Sequence, residues 1–134
     1  MDGKIAMTEG QKTGNPDWGL WQSWLDAWNR RDLEAIVAHY AEDVEFVSQS
    51  VVDLGMGDAG SLRGKAALRD VFGAGLRFDV NLTFTPIHAF VGVREHALYY
   101  IGYRRRHVIE VHQLDAQGKI IVARAYHGQW AAPQ

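Results

Sequence analysis

The stretch Arg106-His-Val-Ile-Glu-Val-His-Gln-Leu114, with the turn Asp115-Ala-Gln-Gly118 and the run Lys119-Ile-Ile-Val-Ala-Arg-Ala-Tyr-His127, decides the fold. Both arms are rich in β-branched residues, and Gly118 offers the turn a residue free to take positive φ. The reading is an antiparallel hairpin, with 106–114 against 119–128. Side chains alternate across a strand. Val108, Glu110, His112 and Leu114 therefore share one face, and His107, Ile109, Val111 and Gln113 share the other. Each face is half apolar, as in a sheet covered on both sides, so periodicity leaves the inward face open.

Two more β-rich runs precede the hairpin, at about 80–92 and 95–103. The first half of the chain is helical. Trp18, Trp21, Leu25 and Trp28 recur at helical spacing, with Trp24 beside them and Gln22, Asp26, Asn29 and Arg30 opposite. That spacing predicts an amphipathic helix, capped by Asn15 with Pro16 in its first turn, ending near Arg31. Asp32 can cap a second helix, in which Leu33, Ile36, Val37 and Tyr40 keep the period. Val44-Glu-Phe-Val-Ser48 alternates and reads as a strand. Residues 53–64 read as a Gly-rich loop without the Lys-Ser/Thr ending of a phosphate loop. Lys65 to Phe72 read as a third helix burying Ala67, Leu68, Val71 and Phe72. Helices followed by a run of antiparallel strands make an α+β layout. Residues 1–14 are polar and aperiodic and read as a loose tail, residues 15–130 as one domain, and 131–134 as a second tail.

At 134 residues and 47% hydrophobic, the chain can bury a core without disulfide or metal staples. It has no cysteine, which removes disulfides, thiolate nucleophiles and cysteine-based zinc sites from consideration. A net charge of −2 gives no global attraction to nucleic acid. No run approaches the roughly 18 apolar residues of a membrane span. Residues 1–12 lack the apolar centre of a signal peptide. A cytoplasmic protein with neither a nucleic-acid nor a membrane partner is expected. Five Trp, five Tyr and five Phe are many for this length, and such rings line cores, pockets and interfaces alike.

Four pieces in register carry a family resemblance. Ala27-Trp-Asn-Arg-Arg-Asp-Leu-Glu-Ala-Ile-Val-Ala-His-Tyr-Ala-Glu-Asp-Val-Glu-Phe46 resembles the opening of the nuclear-transport-factor-2-like superfamily, in particular its SnoaL-like and ketosteroid-isomerase-like members. Leu62-Arg-Gly-Lys-Ala-Ala-Leu68 resembles the start of that fold's third helix. Gln113-Leu-Asp-Ala-Gln-Gly-Lys-Ile120 resembles its last hairpin, and Ala123-Arg-Ala-Tyr-His127 its closing strand. The resemblance implies a cone: a curved, mostly antiparallel sheet wrapped around three helices, with an apolar pocket in its mouth and an outer sheet face that makes a homodimer. It also puts Glu110 and His112 on the concave side, beside Ala123, Ala125 and His127. Such a fold hosts many unrelated activities.

Carried over residue by residue, the isomerase site is only partly present. Ser48 stands where the resemblance implies the general-base Asp, and a hydroxyl cannot replace that carboxylate. Trp24 stands for the oxyanion-hole Tyr, Phe72 for a third-helix Tyr, and Tyr40 for the Tyr that supports the network. Glu110 stands for the buried oxyanion-hole Asp, a carboxyl kept protonated in ketosteroid isomerase, the worked example for such a group. Ketosteroid isomerisation itself is therefore not expected.

The functional reading is a small hydrophobic-molecule pocket with cofactor-independent isomerase or lyase chemistry: a dehydratase, cyclase or double-bond isomerase. Glu110, with a carboxyl pKa raised by burial unless an imidazolium opposes it, and His127 or His112 would move protons, with Tyr40 in support. Trp24, Trp28, Ser48, Phe72, Val108 and Ala125 would form the walls, and the two Ala at 123 and 125 leave room for a ligand. The rival readings are a Glu–His pair that only satisfies itself, surface imidazoles on a dimer face, and a metal site of two His and one carboxylate; neither metal nor cofactor is expected. At the level of the whole protein, the alternative is a non-catalytic dimeric module for ligand binding or assembly. The Trp stripe reads chiefly as core. Arg104-Arg-Arg106 reads as a solvated hairpin end, His39, His88 and His96 as isolated, and Asp53 and Asp58 as mouth-loop carboxylates that can serve only if the loop folds inward.

Overall fold

The computed structural model describes residues 18–130, with only the backbone at Gln129 and Trp130. The tails expected at 1–14 and 131–134, and the Asn15–Pro16 helix start, lie outside the described residues. Helix α1 (Gly19–Asn29) is followed by α2 (Leu33–Val37), β1 (Tyr40–Val47), α3 (Gln49–Asp53) and β2 (Ser61–Arg63). Helix α4 (Lys65–Phe78) leads into β3 (Thr85–Gly92), β4 (Glu95–Ile101), a short 3-10 turn (Tyr103–Arg105), β5 (Arg106–Leu114) and β6 (Ile120–Trp130). The six strands form one sheet in the order β2-β1-β6-β5-β4-β3, antiparallel except where β1 runs parallel to β6. The sheet curls around the helices into the expected α+β cone.

Helix α1 buries Trp24, Ala27 and Trp28, spaced i, i+3, i+4. Each indole removes about 150–250 Å² from water, roughly 4–6 kcal/mol of gross burial. Trp18 departs from the expected stripe: it is 42% exposed. Arg31 ends the first hairpin of helices in a left-handed conformation (φ 57). Its guanidinium offsets that strain by donating to the carbonyls of Leu82 at 3.1 Å and Leu76 at 2.5 Å. Asn29 exchanges both amide bonds with the backbone of Phe84, at 2.9 and 2.7 Å, and so pins the segment before β3 to α1.

Several boundaries move from their expected positions. Asp32 caps α2 as expected, accepting from the Ala35 N–H at 3.1 Å. That helix stops at Val37, however, and Tyr40 opens β1 rather than closing a helix. The spacing of Leu33, Ile36, Val37 and Tyr40 fits a helix, but the Ile120 N–H already bonds the His39 carbonyl at 2.8 Å, so sheet pairing claims the backbone there. The loop expected over 53–64 is partly ordered. Ser48 caps α3 on one side of it, and β2 pairs antiparallel with β1 on the other. Helix α4 continues two turns past Phe72, and Ala67 on it is half-buried rather than buried. Strands β3 and β4 are shorter than the runs that predict them, whereas β5 keeps the expected bounds, and β6 extends to Trp130. No helix among the described residues is long and apolar enough to cross a membrane.

Candidate active site

Strand register brings the polar side chains together. Across β4 and β5, His96 opposes His112, Leu98 opposes Glu110, and Tyr100 opposes Val108. Across β5 and β6, Val108 opposes His127, Glu110 opposes Ala125, and His112 opposes Ala123. Directly opposed residues share a face. His96, Tyr100, Glu110, His112 and His127 therefore belong to the concave side, while Ile109 and Tyr126 are exposed on the convex side.

Glu110 is 4% exposed and held at both oxygens. The Tyr100 hydroxyl donates to Oε1 at 2.5 Å, and His112 Nε2 lies 2.8 Å from Oε2. His112 is fully buried, and its Nδ1 has no hydrogen-bond partner. An unpartnered lone pair costs less in such a place than an unpartnered N–H donor. His112 is accordingly assigned as neutral, with its proton on Nε2 and donated to a Glu110 carboxylate. Burial, and then the Glu110 charge, push the Tyr100 phenol well above its ordinary pKa, so it stays a donor.

The pocket in the mouth of the cone opens on this carboxylate. Trp28, Phe46, Val71, Phe72, Leu82 and Phe84 supply apolar wall; Ser48, Tyr100, Tyr103, Glu110 and His127 supply polar groups. Its volume is about 60 Å³, or about 530 Å³ when all non-atom space up to the open mouth is counted. The smaller figure corresponds to roughly four waters. A compact ligand therefore fits as the walls stand, and a larger one requires them to move. The Tyr103 hydroxyl and His127 Nδ1 are buried here without a partner. Burial lowers the His127 pKa, opposed by the charge of Glu110, so the imidazole is neutral near neutral pH.

Among the residues singled out from sequence, Trp28, Ser48, Phe72, Glu110, Ala125 and His127 line this pocket. Trp24, Tyr40, Val108 and His112 do not; they lie behind its wall. The Trp24 indole N–H, matched to an oxyanion donor, is instead given to the Tyr40 hydroxyl at 2.9 Å. Its ring stacks edge-on against His112 at 5.0 Å and lines a separate inner cavity rather than this pocket. Ser48 Oγ is also spent locally, accepting from the Ser50 N–H at 3.1 Å and pairing with Ser50 Oγ at 2.8 Å. Asp53, exposed on α3, shares a groove with Gln49, Arg106 and His127, whereas Asp58 is exposed and lines no described pocket. His96 corrects its expected isolation: it is buried, its ring 6.3 Å from that of His112. His39 is half-buried and His88 exposed. Arg104 and Arg105 form the turn after β4, with Arg104 over the Phe78 ring at 5.7 Å. No three His, Asp or Glu among the described residues gather as metal ligands.

Tyr100 is the principal residue that sequence reasoning missed. The pair Tyr99-Tyr100 carries no mark of which ring turns inward; the β4–β5 register was the only usable signal. The fold also leaves a space for this ring: a Cβ at Gly102 would lie 2.6 Å from Tyr100 Cε2.

With this geometry in hand, comparison with known proteins places the chain. A family model described as a SnoaL-like domain matches residues 21–129. A crystal structure of a SnoaL-like protein of unknown function from Burkholderia thailandensis is similar at 31% identity and TM-score 0.78, over 86% of this chain and 100% of that one. A structure described as a putative ketosteroid isomerase from Kribbella flavida shares the fold at 15% identity and TM-score 0.62, over 86% and 79% of the two chains. The epoxide hydrolase/cyclase-like enzyme SalBIII, described as acting in pyran ring formation in the polyether salinomycin, shares it at 21% identity and TM-score 0.66, over 91% and 95%. No curated protein matches the sequence. The chain belongs to the SnoaL-like family.

Proposed function

We propose that the protein is a cofactor-independent isomerase or lyase acting on a small, largely apolar molecule that carries a carbonyl or hydroxyl oxygen. One observation carries this reading: a buried carboxylate, held by two donors, is one wall of an apolar pocket that also contains a neutral imidazole. In this reading the Glu110 carboxylate removes a proton from carbon beside the substrate oxygen, the Tyr103 hydroxyl donates to that oxygen as charge develops, and His127 takes or returns the second proton. Tyr100 and His112 position Glu110, and Tyr40 holds Trp24, which packs on His112. The structures described as a ketosteroid isomerase and a cyclase-like enzyme support this class of chemistry without specifying it. The exposed Ile109, Tyr126 and Phe90 on the convex sheet support a homodimer through that face.

Deuterium exchange into cyclohexanone, and conversion of a β,γ-unsaturated cyclohexenone, test the assignment. E110Q should slow both by about 10²–10⁴-fold. Unchanged rates in E110Q at preserved fold would leave the non-catalytic binding module as the better description.

A further inference from the structure

At the closed end of the cone, behind Trp24, lies a second cavity of about 10 Å³. Three imidazoles, those of His39, His96 and His112, line it, together with Leu20, Leu114 and Gly118. The space is about that of one water, and His112 Nδ1 is open to it. His112 links the two compartments. Its Nε2 is bonded to Glu110, which faces the mouth pocket, while its ring also walls the inner cavity and its Nδ1 is unpartnered. His39 stands between the cavity and solvent: it is half-buried, its Nδ1 is bonded to the Ala35 carbonyl at 2.9 Å, and its Nε2 meets Ser23 Oγ, on the exposed side of α1, at 3.0 Å.

We propose that Glu110, His112 and a water in this cavity form a proton passage that leaves the closed end past His39, by which Glu110 exchanges its proton with solvent while substrate fills the mouth. The proposal rests on Glu110 being the acid–base group. The transfer balances without any further reagent. Water gives a proton to His112 Nδ1, and the Nε2 hydrogen passes to Oε2 of Glu110. The carboxylate becomes a carboxylic acid, His112 becomes the Nδ1–H tautomer, and a proton entering from solvent past His39 restores the water. The reverse sequence discharges Glu110. The titratable groups around His112 are Glu110 on its own strand, His96 from β4, Tyr40 from β1 and His39 from the α2–β1 junction. From α1 and β6 it meets Trp24 and Ala123, which do not titrate. Burial lowers the His39 pKa, so that ring is neutral near neutral pH.

Two measurements test the passage. The first needs no turnover. Imidazole NMR of the wild type should show His112 as the Nε2–H tautomer, with a cross-peak to water. L114F, which fills the cavity, should slow exchange of that N–H roughly tenfold, because exchange would then require local opening. H39L, which removes the outer group without enlarging a side chain, should slow it in the same direction and guards against a packing artefact. The second uses the β,γ-unsaturated cyclohexenone in heavy water. L114F should keep the conversion rate within about twofold while its product loses about tenfold in solvent deuterium. Unchanged N–H exchange in both variants overturns the proposal. So does exchange that slows when cyclohexanone saturates the wild type but not in L114F, since protons would then enter by the mouth. Slowed exchange with no ketone turned over would sustain the passage and defeat the catalytic reading.

Discussion

Replacing Tyr100 by Phe removes one oxygen from the interior and nothing else. The ring keeps its contacts with Phe84 at 4.6 Å and Trp24 at 5.8 Å, so little packing is lost. What disappears is the hydroxyl that donates to Glu110 Oε1 at 2.5 Å. A hydrogen bond to a charged group is worth about 1.5–3 kcal/mol net, and the Glu110 oxygen left behind is buried away from water that could replace it. Y100F should therefore unfold about 2 kcal/mol more easily, with an unchanged urea m-value because the exposed surface on unfolding is the same. For a chain of this size that corresponds to a fall in Tm of roughly 6–12 °C. The pairing itself is isolated by a double-mutant cycle with E110Q, in which the coupling between the two sites should be about 1–2 kcal/mol. A Y100F protein within about 0.5 kcal/mol of wild type, or a coupling of zero, would refute a carboxylate held by two donors. If the protein turns over the cyclohexenone, Y100F should also lower kcat with little effect on KM, since the hydroxyl is given to Glu110 and orients the base.

W24F deletes the N–H donated to Tyr40 and opens space beside His112, and should cost about 2–4 kcal/mol in a urea titration; a loss below about 1 kcal/mol would show that the buried bond and the indole packing do not hold the interior as described. His127 and His39 both have pKa values lowered by burial in the folded protein. The unfolded chain thus binds more protons below the ordinary value of 6.5, so stability is full above that pH and falls as pH drops through the folded pKa values. H127Q should flatten this acid slope, and an imidazole titration by NMR that places His127 above 6.5 would reverse the sign. G102A puts a methyl against Tyr100 and should reduce turnover more than it reduces Tm, as read from paired kinetic and melting data. I109D on the convex sheet should convert a dimer to a monomer in sedimentation analysis while leaving the mouth pocket intact; a wild type that sediments as a monomer would remove the dimer.

The hairpin that fixes the fold was legible because alternation and a Gly turn agree over more than twenty residues. Given that hairpin, the shared face of Glu110 and His112 followed from parity alone, although which face turns inward came from family likeness. The rest depended on information a linear pattern does not hold. Tyr40 sits at a spacing that suits α2, and only pairing of β6 beside it shows that the backbone there is sheet. Tyr100 and His96 became inward residues through the β4–β5 register, which the turn at 102–105 does not announce. Trp24 was matched to a donor position, yet a donor's role is set by who accepts from it, and the acceptor is Tyr40, sixteen residues away. The division of the interior into a mouth and a closed end is invisible to periodicity, because it is made by rings from separate elements, Trp24, Tyr40, Tyr100 and His112, that pack against one another.

Strand β6 lies between β5, its neighbour in sequence, and β1, some eighty residues upstream. As the chain emerges, β1 has no parallel partner until almost everything else exists, and neither Ala125 nor His127 can meet Glu110 before then. Pairing of such distant segments is slow to nucleate. Until it occurs, the indoles of α1 face an unfinished wall, so the interval before the last strand docks is when this protein would most need a chaperone's shelter.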